Sequence, residues 1–496
     1  MNMGLKLYDT LRGKKLPFRP IDEKNVRMFV CGPTVYDSTH IGHAKTYITS
    51  DIIARWIRHG GYTLKLLVNI TDVDDKIIKR ASDENTTSIE IARRYEAQFK
   101  RCMERIGITS VDIYERAHDH IAEIQSQIVR LLENGSAYIT ETGIYYDITG
   151  FKDYGKLSRQ NPEELNRHRV EPDTTKRNPH DFSVWKRAPA RSDPSWEFSA
   201  NIKMGAGASP ERILGQGADG VAKLTDGSIK LSMNGRPGWH IEDTAIAEKY
   251  LGVQYDIHGG GLDLIFPHHE CEIAQMESVS GKRPMVNYWA HTGLLTVNGK
   301  KMSKSLKNFT TVDSLLEKYT GETLRMALIN AHYRSPVDFS AGLMDQAKAQ
   351  LERLYNSLEL LRSAKESKEG KEIEITSSEA LKEFEESMDD DINTPGAIKA
   401  MFDLAAEINR SAPSGMSKAT KAKAEDAFMK MASALGILTG EARDEKLTDA
   451  QLSLVAERET ARKSGDYKEA DRIRKELASQ GVTVDDTKEG PKARRS

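Results

Sequence analysis

Residues 26–30, Val-Arg-Met-Phe-Val, form a short apolar run that predicts a buried strand. The run passes into a turn-forming loop, Cys31-Gly32-Pro33-Thr34-Val35-Tyr36, and then into a helix predicted to begin between His40 and Gly42. A second apolar run, Leu64 to Ile70, predicts another strand, which ends at Thr71-Asp72. Strand, Gly-containing turn, helix and strand make a βαβ unit, so the fold class is α/β with a parallel sheet. Such sheets bind ligands beyond the carboxyl ends of their strands, and Cys31 and Thr71 both fall there. Residues 90–134 read as helical, and residues 140–200 alternate strand-like pieces with Pro-rich turns. Residues 197–234, rich in Gly, Ala and Ser, read as an insertion holding either a small hairpin or a mobile loop. From about Leu343 the pattern turns helical, and Leu351, Leu354, Leu358 and Leu361 recur on one face as bundle core. The polar, basic tail from Lys488 to Ser496 is expected to be mobile.

Composition narrows this picture in three ways. A chain of 496 residues is too long for a single core, so about two to four packing units are expected. There is no apolar leader and no stretch long enough to span a bilayer, which predicts a cytoplasmic protein without a membrane partner. Three cysteines, Cys31, Cys102 and Cys271, make no disulfide framework. Lys plus Arg number 72 against 74 for Asp plus Glu, so any RNA contact must use local basic patches.

The candidate chemistry starts at His40-Ile41-Gly42-His43, just after a strand and at a helix start. Backbone N–H groups at such a terminus attract phosphate, and the imidazoles of His40 and His43 can donate to the charge developing on a triphosphate. Gly42 would let an adenine ring approach the backbone. Downstream, Lys301-Met302-Ser303-Lys304-Ser305 carries two lysines three apart in a short loop, suited to stabilising a pyrophosphate leaving group by charge. Each segment alone also reads as ordinary surface. Together, in this order, they resemble the two signature sequences of the class I aminoacyl-tRNA synthetases.

A third constellation is His268-His269-Glu270-Cys271-Glu272, preceded by Pro267. Proline ahead of this run predicts a helix start there, so His268 and Glu272, four apart, share one face. That spacing suits two ligands of one metal, and Cys31 is placed to add a thiolate from across the sheet. Zinc accepts such a mixed N, S and O set.

These segments, with Asn69-Ile70-Thr71-Asp72-Val73-Asp74-Asp75-Lys76, Gly238-Trp239-His240-Ile241-Glu242, His258-Gly259-Gly260-Gly261 and Met388-Asp389-Asp390-Asp391-Ile392-Asn393-Thr394-Pro395, resemble the cysteinyl-tRNA synthetases over nearly the whole chain. The resemblance implies a Rossmann-like catalytic domain with an inserted acceptor-end domain, an all-helical bundle and a small C-terminal anticodon-binding region. The expected boundaries are 1–120 and 235–300 for the two catalytic halves, 121–234 for the insertion, 301–345 for the signature loop and stem contacts, 346–445 for the bundle, and 446–496 for the anticodon region. It implies ATP (with Mg²⁺), L-cysteine and tRNA(Cys) as partners of a monomer, and one Zn²⁺ held by Cys31, the residue after Glu242, His268 and Glu272. The family usually has cysteine at that second position; here it is Asp243, with Cys271 as the alternative ligand. Gly32, Thr71, Trp239 and His258 resemble the family's amino-acid contacts. Arg462, Tyr467, Asp471 and Asp486 fall where the family reads the anticodon. The nearest rival is a ligase that passes activated cysteine to a small amine, which would need no anticodon module.

Overall fold

The computed structural model describes residues 4–495 apart from 161–172, 206, 298, 302–308, 368–370, 441–448, 480–481 and 488–489. Five parallel strands form the central sheet, in the order Val286–Thr292, Tyr255–Gly261, Asn25–Val30, Thr63–Ile70 and Ile113–Arg116. The chain enters in the middle at Asn25–Val30, builds outward to one edge, and returns later on the other side. A topological switch therefore lies between Asn25–Val30 and Tyr255–Gly261, the crevice where open α/β sheets bind ligands.

Strand alternation decides which residues face which layer. Met28, Val30, Leu66 and Val68 join the core that includes the helix Ile41–His59 and the bundle, whereas Phe29, Cys31 and Leu67 join the core on the opposite face. Continuing the alternation one step past the strand thus turns the Cys31 thiol toward the helices Trp239–Leu251 and Glu270–Ser280.

The stretch expected to be helical over 90–134 is divided. Ser88–Arg105 is a helix with a capping box at Thr87 and Glu90. The chain then turns at Gly107, at φ +71°, into the edge strand Ile113–Arg116, before a second helix, Ile121–Glu133. The edge strand is only half-buried throughout, so it lacks the apolar run that marked its neighbours.

The insertion is a six-stranded antiparallel sheet. Its ambiguous segment is a hairpin: Ala222–Thr225 pairs with Ser228–Pro237 through Asp226-Gly227, both at positive φ, as a tight two-residue hairpin turn requires. Trp196–Lys203 pairs with the same long strand. The helices Ala341–Ser363, Lys371–Asp389, Thr394–Ser411 and Lys418–Leu435 follow, with Leu351, Leu354, Leu358 and Leu361 buried as the pattern predicts. The last residues fold around a small core of Ile473, Leu477, Val482 and Val484. There the tail departs from the expectation of mobility: Gly490–Arg495 is a strand paired antiparallel with Val482–Thr487. Among the described residues no helix is long and apolar enough to cross a membrane.

Candidate metal centre and active site

The ligand atoms converge on one nitrogen. His268 Nε2 lies 3.3 Å from Cys31 Sγ, 3.1 Å from Asp243 Oδ2 and 3.0 Å from Glu272 Oε1. Asp243 lies close enough to Cys31 to raise its thiol pKa. The side chains of Asp243, His268 and Glu272 are wholly shielded from solvent, and Cys31 is 4% exposed. Among the described residues, Asp243, His268 and Glu272 place ligand atoms within 4.8 Å of one another, and overlapping triads add Cys31 with His269, and His258 with His269.

One imidazole nitrogen carries at most one proton, which cannot satisfy three acceptors. Neither oxygen of Glu272 has a hydrogen-bond partner of acceptable geometry, despite the closeness of His268. Burial pushes the Glu272 carboxyl well up, and Asp243 adds to this. Burial likewise raises the Cys31 thiol well above its ordinary range, with Asp243 and Glu272 pushing the same way. Unpaired buried anions cost several kcal/mol each, and a cation among them removes that cost. The donor set of one sulfur, one imidazole nitrogen and two carboxylates fits zinc.

A shell of histidines surrounds the ligands. His268 Nδ1 lies 2.8 Å from His240 Nδ1, and with the shared proton on His268 its Nε2 is a lone pair facing the cluster. Thr10 donates its hydroxyl to Trp289 O, which makes Thr10 Oγ1 the acceptor for His291 Nδ1 at 2.8 Å. His291 Nε2 then accepts from His269 Nδ1 at 2.8 Å, and His269 Nε2 is left unprotonated and without a hydrogen-bond partner near Glu272. Burial depresses His269 and His258 well below the usual imidazole range and His291 to about 3, so all three are neutral.

Cys271, the alternative ligand, points elsewhere: its sulfur meets the Tyr154 hydroxyl at 3.3 Å, and it joins none of the three ligand groups. The expected helix start at Pro267 also shifts. Phe266 is extended, at φ −135° and ψ 133°, and the regular α-helix begins only at Glu270. His268 and Glu272 still meet across one turn.

The residues expected to contact an amino acid ring this centre. Trp239 stacks on His268, with centroids 4.1 Å apart, and is half-buried. Thr71 is buried at the end of its strand, where its N–H donates to Pro33 O at 3.2 Å. His258 is one layer deeper, between the Tyr255 hydroxyl at 2.7 Å and Glu272 at 3.6 Å. Gly32 admits no side chain, because a Cβ there would lie 1.5 Å from Asn69 O.

His40 has an additional, local task. It is the N-cap of the helix Ile41–His59, and its Nδ1 accepts from Gly42 N at 3.1 Å and His43 N at 3.3 Å. Those two amides are therefore occupied rather than open to a phosphate, and the His40 proton sits on Nε2. Its ring stacks on His43 at 3.7 Å. Burial lowers His40 to about 4 and His43 well below its usual range, so both are neutral donors or acceptors near neutral pH.

The second signature meets the first through its downstream end. Phe309 approaches the His40 ring edge-on at 5.3 Å, Ile41 N donates to Thr310 O, and Val312 N donates to Thr39 O. Upstream, the Lys301 backbone pairs with Thr296. The Lys301 side chain and residues Met302, Ser303, Lys304 and Ser305 lie outside the described residues.

At the far end of the chain, Arg462 is half-buried in the last turn of Asp449–Lys463. Tyr467, 67% exposed, opens the helix Tyr467–Ser479, with exposed Asp471 one turn on. Asp486 lies in the strand Val482–Thr487, and its side chain is outside the described set. The sequence reading gave no role to Asn69, His240, His269 or His291. The available signal was a lone amide closing an apolar strand, and histidines beside proposed ligands.

Comparison with known proteins agrees along the whole chain. The family described as "tRNA synthetases class I (C) catalytic domain" matches residues 17–203 and 231–349, interrupted at the insertion hairpin. The "DALR domain" matches 383–439, and the "Cysteinyl-tRNA ligase anticodon binding domain" matches 444–493. The chain is 41% identical to the cysteine–tRNA ligase of Thermococcus onnurineus over 502 residues, covering 98% of each. It is 40% identical to that of Geobacter metallireducens over 513 residues, covering 98% of this chain and 99% of the relative. Among solved structures, methionyl-tRNA synthetase of Mycobacterium tuberculosis with methionyl-adenylate aligns at a TM-score of 0.55 and 16% identity, covering 83% of this chain and 89% of that one. The leucyl enzyme of Agrobacterium radiobacter K84, in a complex with tRNA, aligns at a TM-score of 0.60 and 11% identity, covering 84% and 85%. The structural likenesses show the shared fold, and the full-length identities show the family: this chain belongs to the cysteine–tRNA ligases, within the class I aminoacyl-tRNA synthetases.

Proposed function

We propose that this chain activates L-cysteine with ATP to cysteinyl-adenylate and transfers the cysteinyl group to the 3′ end of tRNA(Cys), selecting cysteine at a zinc ion held by Cys31, Asp243, His268 and Glu272. The observation that carries this reading is the convergence of sulfur, imidazole and two carboxylates on His268 Nε2 within 3.0–3.3 Å. Zinc, when bound, supplies a Lewis-acidic centre that takes a thiolate far more readily than a serine hydroxyl. A pocket reading shape alone separates near-isosteres by only about 100-fold, so recognition of the sulfur itself makes a separate editing site unnecessary.

The chain's own residues do the rest. Trp239 and Thr71 wall the amino-acid site, and Gly32 lets the substrate approach the backbone. His258 and His269 keep Glu272 in a neutral imidazole shell. The His40 Nε2 proton, fixed by the cap contact at Nδ1, is free to donate to charge building on the phosphate oxygens of Mg²⁺-bound ATP. His43 stacks behind it. Lys301 and Lys304 stabilise departing pyrophosphate by charge. Arg462, Tyr467, Asp471 and Asp486 read the anticodon by stacking and base-edge hydrogen bonds. The working unit is one chain in the cytoplasm.

The test is pyrophosphate exchange into ATP with cysteine or serine, together with charging of tRNA(Cys) and metal analysis. Cysteine should drive exchange, serine should not, and purified chains should hold about one zinc each. Equal exchange with both amino acids, or no charging of tRNA, would sink the reading.

A further inference from the structure

Asn69 is fully buried at the meeting point of three elements that carry functional side chains. Its Oδ1 accepts from Gly32 N at 2.6 Å, on the loop that begins with Cys31. Its Nδ2 donates to Asp243 Oδ1 at 2.5 Å, on the helix Trp239–Leu251. It stands two residues before Thr71, at the end of the strand Thr63–Ile70. The amide orientation is set by these partners: Gly32 N–H needs an acceptor, and a carboxylate needs a donor.

This arrangement divides the two oxygens of Asp243. Oδ1 is held by Asn69, while Oδ2 faces His268 Nε2 at 3.1 Å. A free carboxylate can bind a metal through one oxygen or both. With four protein donors already in place the substrate sulfur would come in as a fifth, and a second Asp243 oxygen would compete with it for that position. A thiolate presents a single donor atom and raises no such problem. At position 243 that second oxygen is occupied by Asn69, a partner that Glu272 lacks.

We propose that Asn69 is a positioning residue that holds Asp243 as a one-oxygen metal ligand and so keeps a coordination position open for the substrate sulfur. This rests on the metal reading given above. It assigns Asn69 a function specific to a carboxylate at position 243, beyond its structural bond to Gly32.

The experiment is a double-mutant cycle on the full chain, read by metal binding rather than by turnover. Zn²⁺ affinity is measured by chelator competition for the unsubstituted chain, Asn69→Ala, Asp243→Cys and the double variant. Removing an outer-shell partner commonly costs about 10–100-fold in metal affinity. Asn69→Ala should show a loss of that size beside Asp243, and less than about threefold once position 243 is cysteine. The Co²⁺-loaded forms give a second readout. Cys31 already gives the Co²⁺-loaded chain a sulfur-to-metal charge-transfer band, and adding cysteine to the unsubstituted chain should intensify that band. Asn69→Ala should blunt that response, and the double variant should restore it. If Asn69→Ala does not fold, Asn69→Ser carries the same expectations, because its shorter side chain cannot reach Asp243. Unchanged Zn²⁺ affinity in Asn69→Ala overturns the proposal. Equal losses in both backgrounds also overturn it, since Asn69 would then act only through Gly32. An unsubstituted chain that binds neither ion overturns the metal reading itself, and this proposal with it.

Discussion

The candidate metal centre and the C-terminal region are organised on opposite plans. Around His268, buried polar groups meet one another, and all but Glu272 among the proposed ligands and their histidine neighbours have a polar partner, as Asp243 has Asn69, His268 has His240 and His269 has His291. Around Leu477, a handful of aliphatic side chains hold two helices and a hairpin, and most of the described polar residues face outward, with Gln451 and Arg458 buried. The first plan gives fixed geometry and no tolerance, because every buried polar group depends on its neighbour. The second leaves Tyr467 and Asp471 accessible to a large partner and makes the surface cheap to alter.

The sharpest break in this contrast should come at Cys31. Cys31→Ala should remove bound zinc and lower cysteine-dependent pyrophosphate exchange by more than the roughly 100-fold that outer-shell losses cost. Metal analysis and exchange kinetics check it. Next comes Asp51→Ala, which strands the fully buried Arg325, otherwise bonded to Asp51 and to Leu435 O at the end of a bundle helix. It should cost about 3–5 kcal/mol in denaturant unfolding. Leu477→Ala should cost about 2–4 kcal/mol within the C-terminal region alone. Faster amide exchange confined to the two C-terminal helices and the hairpin of Val482–Thr487 and Gly490–Arg495, with pyrophosphate exchange unchanged, is the expected pattern. Tyr467→Ala should leave stability within about 0.5 kcal/mol while lowering tRNA charging by roughly tenfold through lost stacking. If it lowers pyrophosphate exchange as well, the two regions are not as separate as their construction implies.

The smallest effect concerns acid. His40 titrates near 4 in the folded chain because of burial, below the ordinary imidazole value of 6.5. Between those values the unfolded chain binds the proton and the folded one does not, so stability is lost as pH falls from about 6.5 through about 4. His40→Asn, which keeps a capping side chain, should move the acid-unfolding midpoint slightly lower, as circular dichroism can follow.

How far the sequence was readable depended on the range of the interaction. Local signals worked: the apolar run before Cys31, the stripe from Leu351 to Leu361, and the four-residue spacing of His268 and Glu272. The edge strand Ile113–Arg116 escaped because its half-buried positions alternate too weakly to stand out in a charged stretch. The strand Gly490–Arg495 escaped because its pairing, not its composition, makes it a strand. The tasks of Asn69 and His291 escaped for a different reason. Asn69 meets a residue 174 positions away, and His291 meets one 281 positions away, and no periodicity carries such information.

Under the proposed function, in which Gly32 and Trp239 border the amino-acid site, Gly32 has a practical consequence for anyone wishing to change what that site accepts. Its bare Cα faces the carbonyl of Asn69 so closely that every other amino acid would force the two strand ends apart. Widening the pocket for a bulkier or selenium-bearing substrate is closed from that wall. Trp239, half-buried and lying flat over His268, offers the adjustable wall, and libraries built for altered substrate choice should begin there.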